Sequence, residues 1–448
     1  MSALDRVRVV IAGAGLAGSS AAFELARRGA YVHVVDARSR LGGRVHTLRD
    51  ADGIHAEAGG EFIDHPHHAI RDLAASLRLP LVGVLRAGFG LALRHGRRTT
   101  IHRSPAASWR ALTQRLRPIV DAYRDAGASW DTAAAVAIAR QTIDDLVPIG
   151  TRPASARAFV EALRGFYLAE PDALSALVLV DQMLGGEPPG RSRAYRVRGG
   201  NDRLIAALAR RIERRGRIDL GVAVRAIVQN GRGVRVTVDG AGGRRHEIAA
   251  DYVIVTLPPP LVRACAFDPP LPARQRAALE ALTMGAATKI SLRFDRPWWR
   301  RSGRPRAFGS NLPFGAVWES GEEQRAAVLT LLGGASASAS VAAAAGDAGT
   351  VCDMLRVLGT PSSPGSLIGR AVSWERERWS TGGYAVFGAG FDPRDRRLLS
   401  APHGRVLFAG EHTSEHWQGF MNGAVESGQA AARDAIALAR LADIRRRG

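Results

Sequence analysis

The feature that most constrains this chain lies near its start, where Gly13-Ala14-Gly15-Leu16-Ala17-Gly18 separates two unlike segments. Val7 to Ala12 is rich in β-branched residues and predicts a strand; the Ala/Leu-rich stretch that runs to Arg28 has helical spacing. Tyr31 to Asp36 predicts a second strand, so residues 7–36 read as a βαβ unit opening a parallel sheet. Glycine at positions 13, 15 and 18 permits a tight turn, a close approach of backbone to a pyrophosphate and close helix packing. The helix N-terminus adds attraction for phosphate charge. Asp36, about 20 residues beyond the glycines, is placed to accept hydrogen bonds from ribose hydroxyls. Strand, glycines, helix, strand and terminal acid, in that order, predict a bound dinucleotide.

A chain of 448 residues has room for two or three domain-sized units. Residues 76–194 read mostly as helices, for example 109–123, 133–146 and 155–166, a texture unlike the opening. After Gly199-Gly200 an amphipathic helix is expected over 204–214, followed by short strands and glycine turns from Ile218 to Thr256. Strands are expected over 287–294, 326–332 and 368–374. The Ser/Ala-rich run from Ala335 to Ala345 predicts a solvent-facing helix, with helical spacing continuing to Leu358. A strand over 405–409, a glycine turn and a long helix over 419–441 close the chain.

Lys and Arg number 62 against 42 Asp and Glu, a formal charge of +20. The excess is dispersed, and no basic run carries interleaved aromatics, so a specific nucleic-acid partner is not expected. No uncharged apolar run approaches the ~18 residues of a membrane span. The first apolar stretch is interrupted by glycines and lacks a leader-type cleavage pattern, so a chain starting near Met1 and located in the cytoplasm is expected. Cys265 and Cys352 predict two reduced thiols rather than a disulfide framework, and no Cys/His spacing suggests a metal site.

Beyond Asp36 come Arg38 and the run Leu41-Gly42-Gly43-Arg44-Val45, a second close backbone approach with a fixed counter-charge along a long cofactor. Asp36-Ala37-Arg38 with this run resembles the FAD-binding opening of the flavin-dependent amine oxidases, which include monoamine, polyamine and L-amino-acid oxidases. Ala58-Gly59-Gly60-Glu61-Phe62-Ile63 resembles the family's next flavin-contacting segment. Val224 matches a position whose backbone meets the adenine. The most specific match is Phe408-Ala409-Gly410-Glu411-His412-Thr413 with Trp417-Gln418-Gly419-Phe420-Met421-Asn422-Gly423. The resemblance implies Glu411 near the ribityl and phosphate part, and a helix N-terminus at Met421 facing the flavin N1 and O2. A helix N-terminus there would stabilise the negative charge that reduction places at N1. Glu411 read without the resemblance is a carboxylate capping its turn, and His412 and His416 are read as packing or surface histidines.

The resemblance further implies a catalytic set of Lys289, Tyr384 and Phe420. Ala287 to Phe294, followed by Pro297-Trp298-Trp299, is similar to the strand whose lysine holds a water against flavin N5. A chain with 61 arginines keeps its one lysine here, and an ammonium can share a water or a proton where a guanidinium cannot. Arg378 to Tyr384 resembles the segment supplying one aromatic wall of the amine site; Phe420 falls at the opposite wall, where the family often has Tyr or Trp. Gly383 stands where covalent-flavin members have cysteine, so non-covalent FAD is expected.

The expected fold is α/β: a discontinuous Rossmann-like FAD-binding domain with a mostly parallel sheet (1–75, 195–265 and 385–448) and a substrate domain of mixed sheet and helices (76–194 and 266–384). The implied activity is oxidative deamination of a small-molecule amine to an imine, with dioxygen reduced to hydrogen peroxide; a homodimer is compatible with it. An L-amino-acid oxidase would need a cation for the substrate carboxylate, where this chain has Glu61-Phe62-Ile63-Asp64. An FAD desaturase or porphyrinogen-type dehydrogenase, and a basic scaffold protein that merely binds FAD, are the remaining alternatives.

Overall fold

The computed structural model describes residues 6–185, 193–361 and 365–447. Its organising unit is the predicted one: β1 (Arg8–Ala12), α1 (Leu16–Arg27) and β2 (Tyr31–Asp36), with β1 and β2 paired in parallel. Gly216–Leu220 joins the free edge of β2, Tyr252–Val255 joins β1, and Val406–Phe408 completes five parallel strands. Val9, Val10, Ile11 and Ala12 are all buried, as are Val253, Ile254 and Val255. Helices and a second sheet cover both faces, so Val9 to Ala12 and Tyr252–Val255 are continuous apolar runs without alternation. The C-terminal helix Met421–Arg447 packs along α1 so closely that a Cβ on Gly428 would fall 2.2 Å from the Ala17 carbonyl oxygen. Ala223–Asn230, Gly233–Asp239 and Arg245–Ala250 form an antiparallel layer, with Ala266–Asp268 added in parallel.

A second large sheet carries Ala287–Phe294, paired antiparallel with Ala327–Gly334, and continues through Ala316–Glu319, Ala307–Ser310, Phe89–His95 and Arg98–His102. Only the Ala307–Ser310 and Phe89–His95 pair in this run is parallel. The residues before 106 therefore depart from the helical reading of 76–194: Leu81–Val84, Phe89–His95 and Arg98–His102 are strands, and residues 186–192 of that stretch lie outside the described ones. Phe89–His95 pairs with a strand more than two hundred positions away, and no local period reports such a partner.

Other departures have local causes. The helix expected over 133–146 divides into Ala133–Ala139 and Ile143–Leu146 because Thr142 and Asp145 form a reciprocal capping box that starts a new helix. The strand expected over 368–374 is reduced to pairs at Ser366–Leu367 and Val372–Ser373, separated by Gly369 at φ 68°. The Ser/Ala run does form a helix, Ser336–Ala344, with one face exposed through Ser336, Ala339 and Ala343 and the other, Ala337, Ser338, Val341 and Ala344, buried. Its small side chains let it lie on the sheet. No helix among the described residues is long and apolar enough to cross a membrane.

The glycine loop makes two separate demands. A Cβ on Gly18 would lie 1.9 Å from the Gly13 carbonyl oxygen, whereas one on Gly15 meets nothing within 4 Å. Gly18→Ala is expected to cost about 3 kcal/mol in the cofactor-stripped protein, because backbone must move to admit a methyl. Gly15→Ala is expected to leave its unfolding midpoint unchanged. Thermal or denaturant unfolding of the two stripped variants checks both.

Candidate active site

The glycine segments separated in sequence meet along one track. Gly15 and Gly42 form a parallel bridge, the Gly42 N–H donates to the Ala14 carbonyl, and a Cβ on Gly43 would lie 3.2 Å from the Gly15 Cα. Asp36 is buried at the end of β2 with its two carboxylate oxygens accepting from the Ala14 and Arg38 N–H groups, both at 2.8 Å. It therefore fixes the glycine loop, and each oxygen keeps a lone pair. Thr256, which the sequence reading missed, donates its hydroxyl toward the Ala12 and Gly13 carbonyls and holds the loop from the other side. The Val222 N–H donates to the Asp36 carbonyl, bringing the start of Ala223–Asn230, with Val224, to that end of β2. Arg38 reaches Ser380 at 2.7 Å while its Nε is buried without a partner.

Further along, the Gly60 N–H donates to the Arg44 carbonyl, and a Cβ on Gly59 would lie 1.8 Å from that oxygen. Gly60 packs on Met421, whose Cγ lies 2.9 Å from the position of a Gly60 Cβ. Glu411 closes the track from the C-terminal side: Oε1 accepts from Arg44 at 2.9 Å and the Ala385 N–H at 3.1 Å, and Oε2 from the Gly419 N–H at 2.9 Å. Burial opposes the Glu411 charge, but the Arg44 charge and hydrogen bond and the Gly419 N–H outweigh it, so its pKa is lowered. Gly410 is tied to Ser427 on the last helix. Buried His412 is pushed down to about 4 by desolvation and is neutral, while His416 is exposed.

Lys289 projects from the middle of Ala287–Phe294 onto this track. Its Nζ donates to Glu61 Oε2 at 2.6 Å and to the Gly59 carbonyl at 3.1 Å, and sits 4.9 Å from the centre of the Trp318 ring. Glu61 Oε1 accepts from Arg196 Nη1 at 2.9 Å and from Trp318 Nε1 at 3.0 Å. All four residues are buried. Beneath them, Asn201 donates to the Gly60 and Glu61 carbonyls, and its own N–H meets Glu57. Arg196, Trp318, Asn201 and Glu57 were not singled out from the sequence. The one available signal was Arg196 itself, a charge in a short apolar strand, Ala194–Val197.

An apolar enclosure adjoins Lys289. Phe62 lies edge-on to Trp318 at 5.3 Å, Phe89 to Phe166 at 5.4 Å, and Leu332 is the cross-strand partner of Lys289. Tyr384 donates its hydroxyl to the Phe166 carbonyl, and its ring packs on Gly419. Burial, with Glu411 nearby, pushes its phenol up, so it stays neutral. Phe420 follows Gly419 directly and is 45% exposed. Its ring contacts are to His67 at 5.0 Å and Trp417 at 6.0 Å, so the structure brings Phe420 and Tyr384 to one place without stacking them. His67 is buried, pushed down to about 4 by desolvation, and accepts the Asp64 N–H at Nδ1. Among the described residues, no group of three or more His, Cys, Asp or Glu is placed to hold a metal ion.

A family model described as flavin containing amine oxidoreductase matches residues 16–436. The chain belongs to that family. It is 27% identical to amine oxidase [flavin-containing] B of Bos taurus, over 96% of this chain and 86% of that protein. It is 26% identical to an L-amino acid dehydrogenase of Synechocystis, over 96% and 94%. Cyclohexylamine oxidase from Brevibacterium oxydans superposes with a TM-score of 0.82 at 23% identity, covering 98% of this chain and 99% of that one, and shares the fold. As a flavin-containing amine oxidoreductase, the protein needs a site for a flavin, and the glycine track fits one. The space beside Gly15 is open where a side chain would fill it, the Arg38 Nε has no partner, and a helix N-terminus at Met421 abuts Gly60.

The buried polar spine makes stability depend on pH. Desolvation raises Glu57 from an ordinary 4.5 to about 7, with Glu61 adding to the rise and Arg196, Thr47 and the Asn201 N–H opposing it. The native state therefore keeps this proton to higher pH than the unfolded chain. The stability it confers is full below about 4.5 and is lost as pH rises through about 7, on the order of 3 kcal/mol in all. Glu57→Gln removes the titration, so the stability difference between parent and variant should change across pH 5 to 8 in the variant's favour. Urea unfolding at both ends of that range measures it.

Proposed function

We propose that this flavin-containing amine oxidoreductase binds FAD non-covalently and oxidises a small apolar amine to an imine, which water hydrolyses to a carbonyl product, with dioxygen reduced to hydrogen peroxide. FAD when bound supplies the two-electron acceptor. The residues proposed to hold it are Gly13, Gly15, Gly18, Asp36, Arg38, Gly43, Arg44, Gly59, Gly60, Glu61, Val224, Gly410, Glu411, Gly419, Phe420 and Met421. The observation that carries the reading is the placement of Lys289, held on the Gly59 carbonyl and facing an enclosure of Phe62, Trp318, Leu332 and Tyr384. Lys289 offers a fixed ammonium at the edge of the enclosure, able to hold a water or a proton there, while Tyr384, anchored through Phe166, presents a neutral aromatic face that an amine nitrogen tolerates. Apolar walls exclude water until the imine leaves.

Two further observations support the details. The residue before Tyr384 is Gly383, which carries no thiol to link a flavin, and Leu168 and the Ala287 Cβ pack closely around it. The buried guanidinium of Arg196 is held from both ends, Nη1 donating to Glu61 and Nη2 to the Ser320 carbonyl, so neither nitrogen is turned toward a substrate carboxylate. This favours an amine over an α-amino acid.

Anaerobic titration with paired amines and their α-carboxylated counterparts, followed by admission of air, tests the reading. Bleaching by the amines and peroxide on reoxidation are expected; preferential bleaching by the amino acids would replace the reading with an amino-acid oxidase, and no bleaching by any member would overturn it. Denaturation should release all the flavin from the polypeptide. Gly15→Ala should copurify with at least about tenfold less FAD, since its methyl enters the phosphate space.

A further inference from the structure

Every oxygen lone pair that Glu61 uses is spent on a donor belonging to the reaction pocket or its support. Oε2 holds Lys289; Oε1 holds both the Trp318 indole and Arg196. Arg196 is itself fixed by the Ser320 carbonyl at 2.7 Å. Lys289 has a second oxygen, the Gly59 carbonyl, and its charge lies over the Trp318 ring. One carboxylate thus sets the ammonium position and the tilt of an aromatic wall at once, in a region with almost no solvent access.

We propose that Glu61 is a positioning residue of this site: it clamps the Lys289 ammonium against the Gly59 carbonyl and locks the Trp318 wall to it, with Arg196 as the counter-charge that lets a buried carboxylate persist. The proposal rests on the amine-oxidising reading for its kinetic consequence, but the clamp stands on geometry alone. The chemistry of the donors makes it sharp. All three groups facing Glu61 are N–H donors, so a glutamine of the same shape must turn its amide N–H₂ toward one of them. Two donors, one of them a guanidinium, claim the oxygen at the Oε1 side. The amide nitrogen is left opposing Lys289, whose ammonium loses its partner.

Because Lys289 is the sole lysine of the chain, ¹⁵N-lysine labelling of the FAD-loaded protein gives one side-chain ammonium signal, read without substrate. In the parent that signal is expected to be protected from exchange with water. Glu61→Gln, examined at saturating FAD, should keep cooperative unfolding while protection falls at least about tenfold, the loss of one charge-assisted hydrogen bond. Glu61→Asp, which keeps the charge but withdraws it by one methylene, should restore part of the protection, and it decides the matter if the glutamine variant does not fold. With an amine that bleaches the parent, Glu61→Gln should lower the limiting rate of flavin reduction about tenfold and change the half-saturating amine concentration less than about threefold. Trp318→Phe should do the reverse, since it alters the wall and leaves the ammonium held. An ammonium signal as protected in both Glu61 variants as in the parent would overturn the clamp. If no amine bleaches the parent, the functional reading falls while the ammonium signal still decides whether Glu61 holds Lys289.

Discussion

Backbone contact at glycine sets the distances on which everything else in this molecule depends. At Gly18, Gly59 and Gly428 a side chain would fall within about 2 Å of a carbonyl oxygen from another segment: Gly13, Arg44 and Ala17 respectively. The first contact seats α1 on the nucleotide loop, the second lays the loop before Glu61 against the one before it, and the third presses the last helix onto the first. Larger residues at these points would push apart the strands and helices that converge on the flavin track. The parallel sheet supplies the platform, but these contacts decide how near the C-terminal segment comes to the N-terminal one.

Two buried carboxylates then tie what the glycines bring close. Glu411 joins the segment around Gly419 to Arg44, 367 residues earlier, and Glu61 joins its loop to Lys289, 228 residues later. Neither is an isolated charge, which would be costly to bury; each accepts from a cation and from further N–H donors. Glu57, close to Glu61 and lacking a cation of its own, takes the other course and keeps its proton. The contrast follows from desolvation: Arg196 and Lys289 donate directly to Glu61, whereas Glu57 meets the Thr47 hydroxyl and the Asn201 N–H, and its burial outweighs these and the attraction of Arg196.

Much of this was legible from the sequence because it is coded locally. The βαβ unit, the helix after Gly200 and the strand bearing Lys289 follow from period and punctuation, and Gly13 to Gly18 with Asp36 announce their own contact. The strands Phe89–His95 and Arg98–His102 were not legible: they form a local hairpin of ambiguous composition, and what seats it in the sheet is the pairing of Phe89–His95 with Ala307–Ser310 far along the chain. The same limit hid Arg196 and Trp318. An arginine in a short strand and a tryptophan in an apolar one acquire meaning only when a distant loop places Glu61 between them. Phe420 shows a different limit: its position beside Tyr384 could be expected, but its orientation toward His67 and Trp417 depends on rings from two other segments.

The division of labour around Glu61 also accounts for a compositional oddity, one lysine among 62 cationic residues. Arg196 does what a planar, multi-donor guanidinium does well, bridging the carboxylate and the Ser320 carbonyl from a fixed orientation. Lys289 does something a guanidinium could not do in the same volume: a compact charge meets Glu61 and the Gly59 carbonyl while lying over an indole face. Arginine at 289 would carry its nitrogens past the carbonyl and crowd Trp318; lysine at 196 would reach Glu61 but release Ser320. Two cations on one carboxylate are thus not redundant. One is the structural anchor, and the other is the charge held ready at the edge of the apolar enclosure.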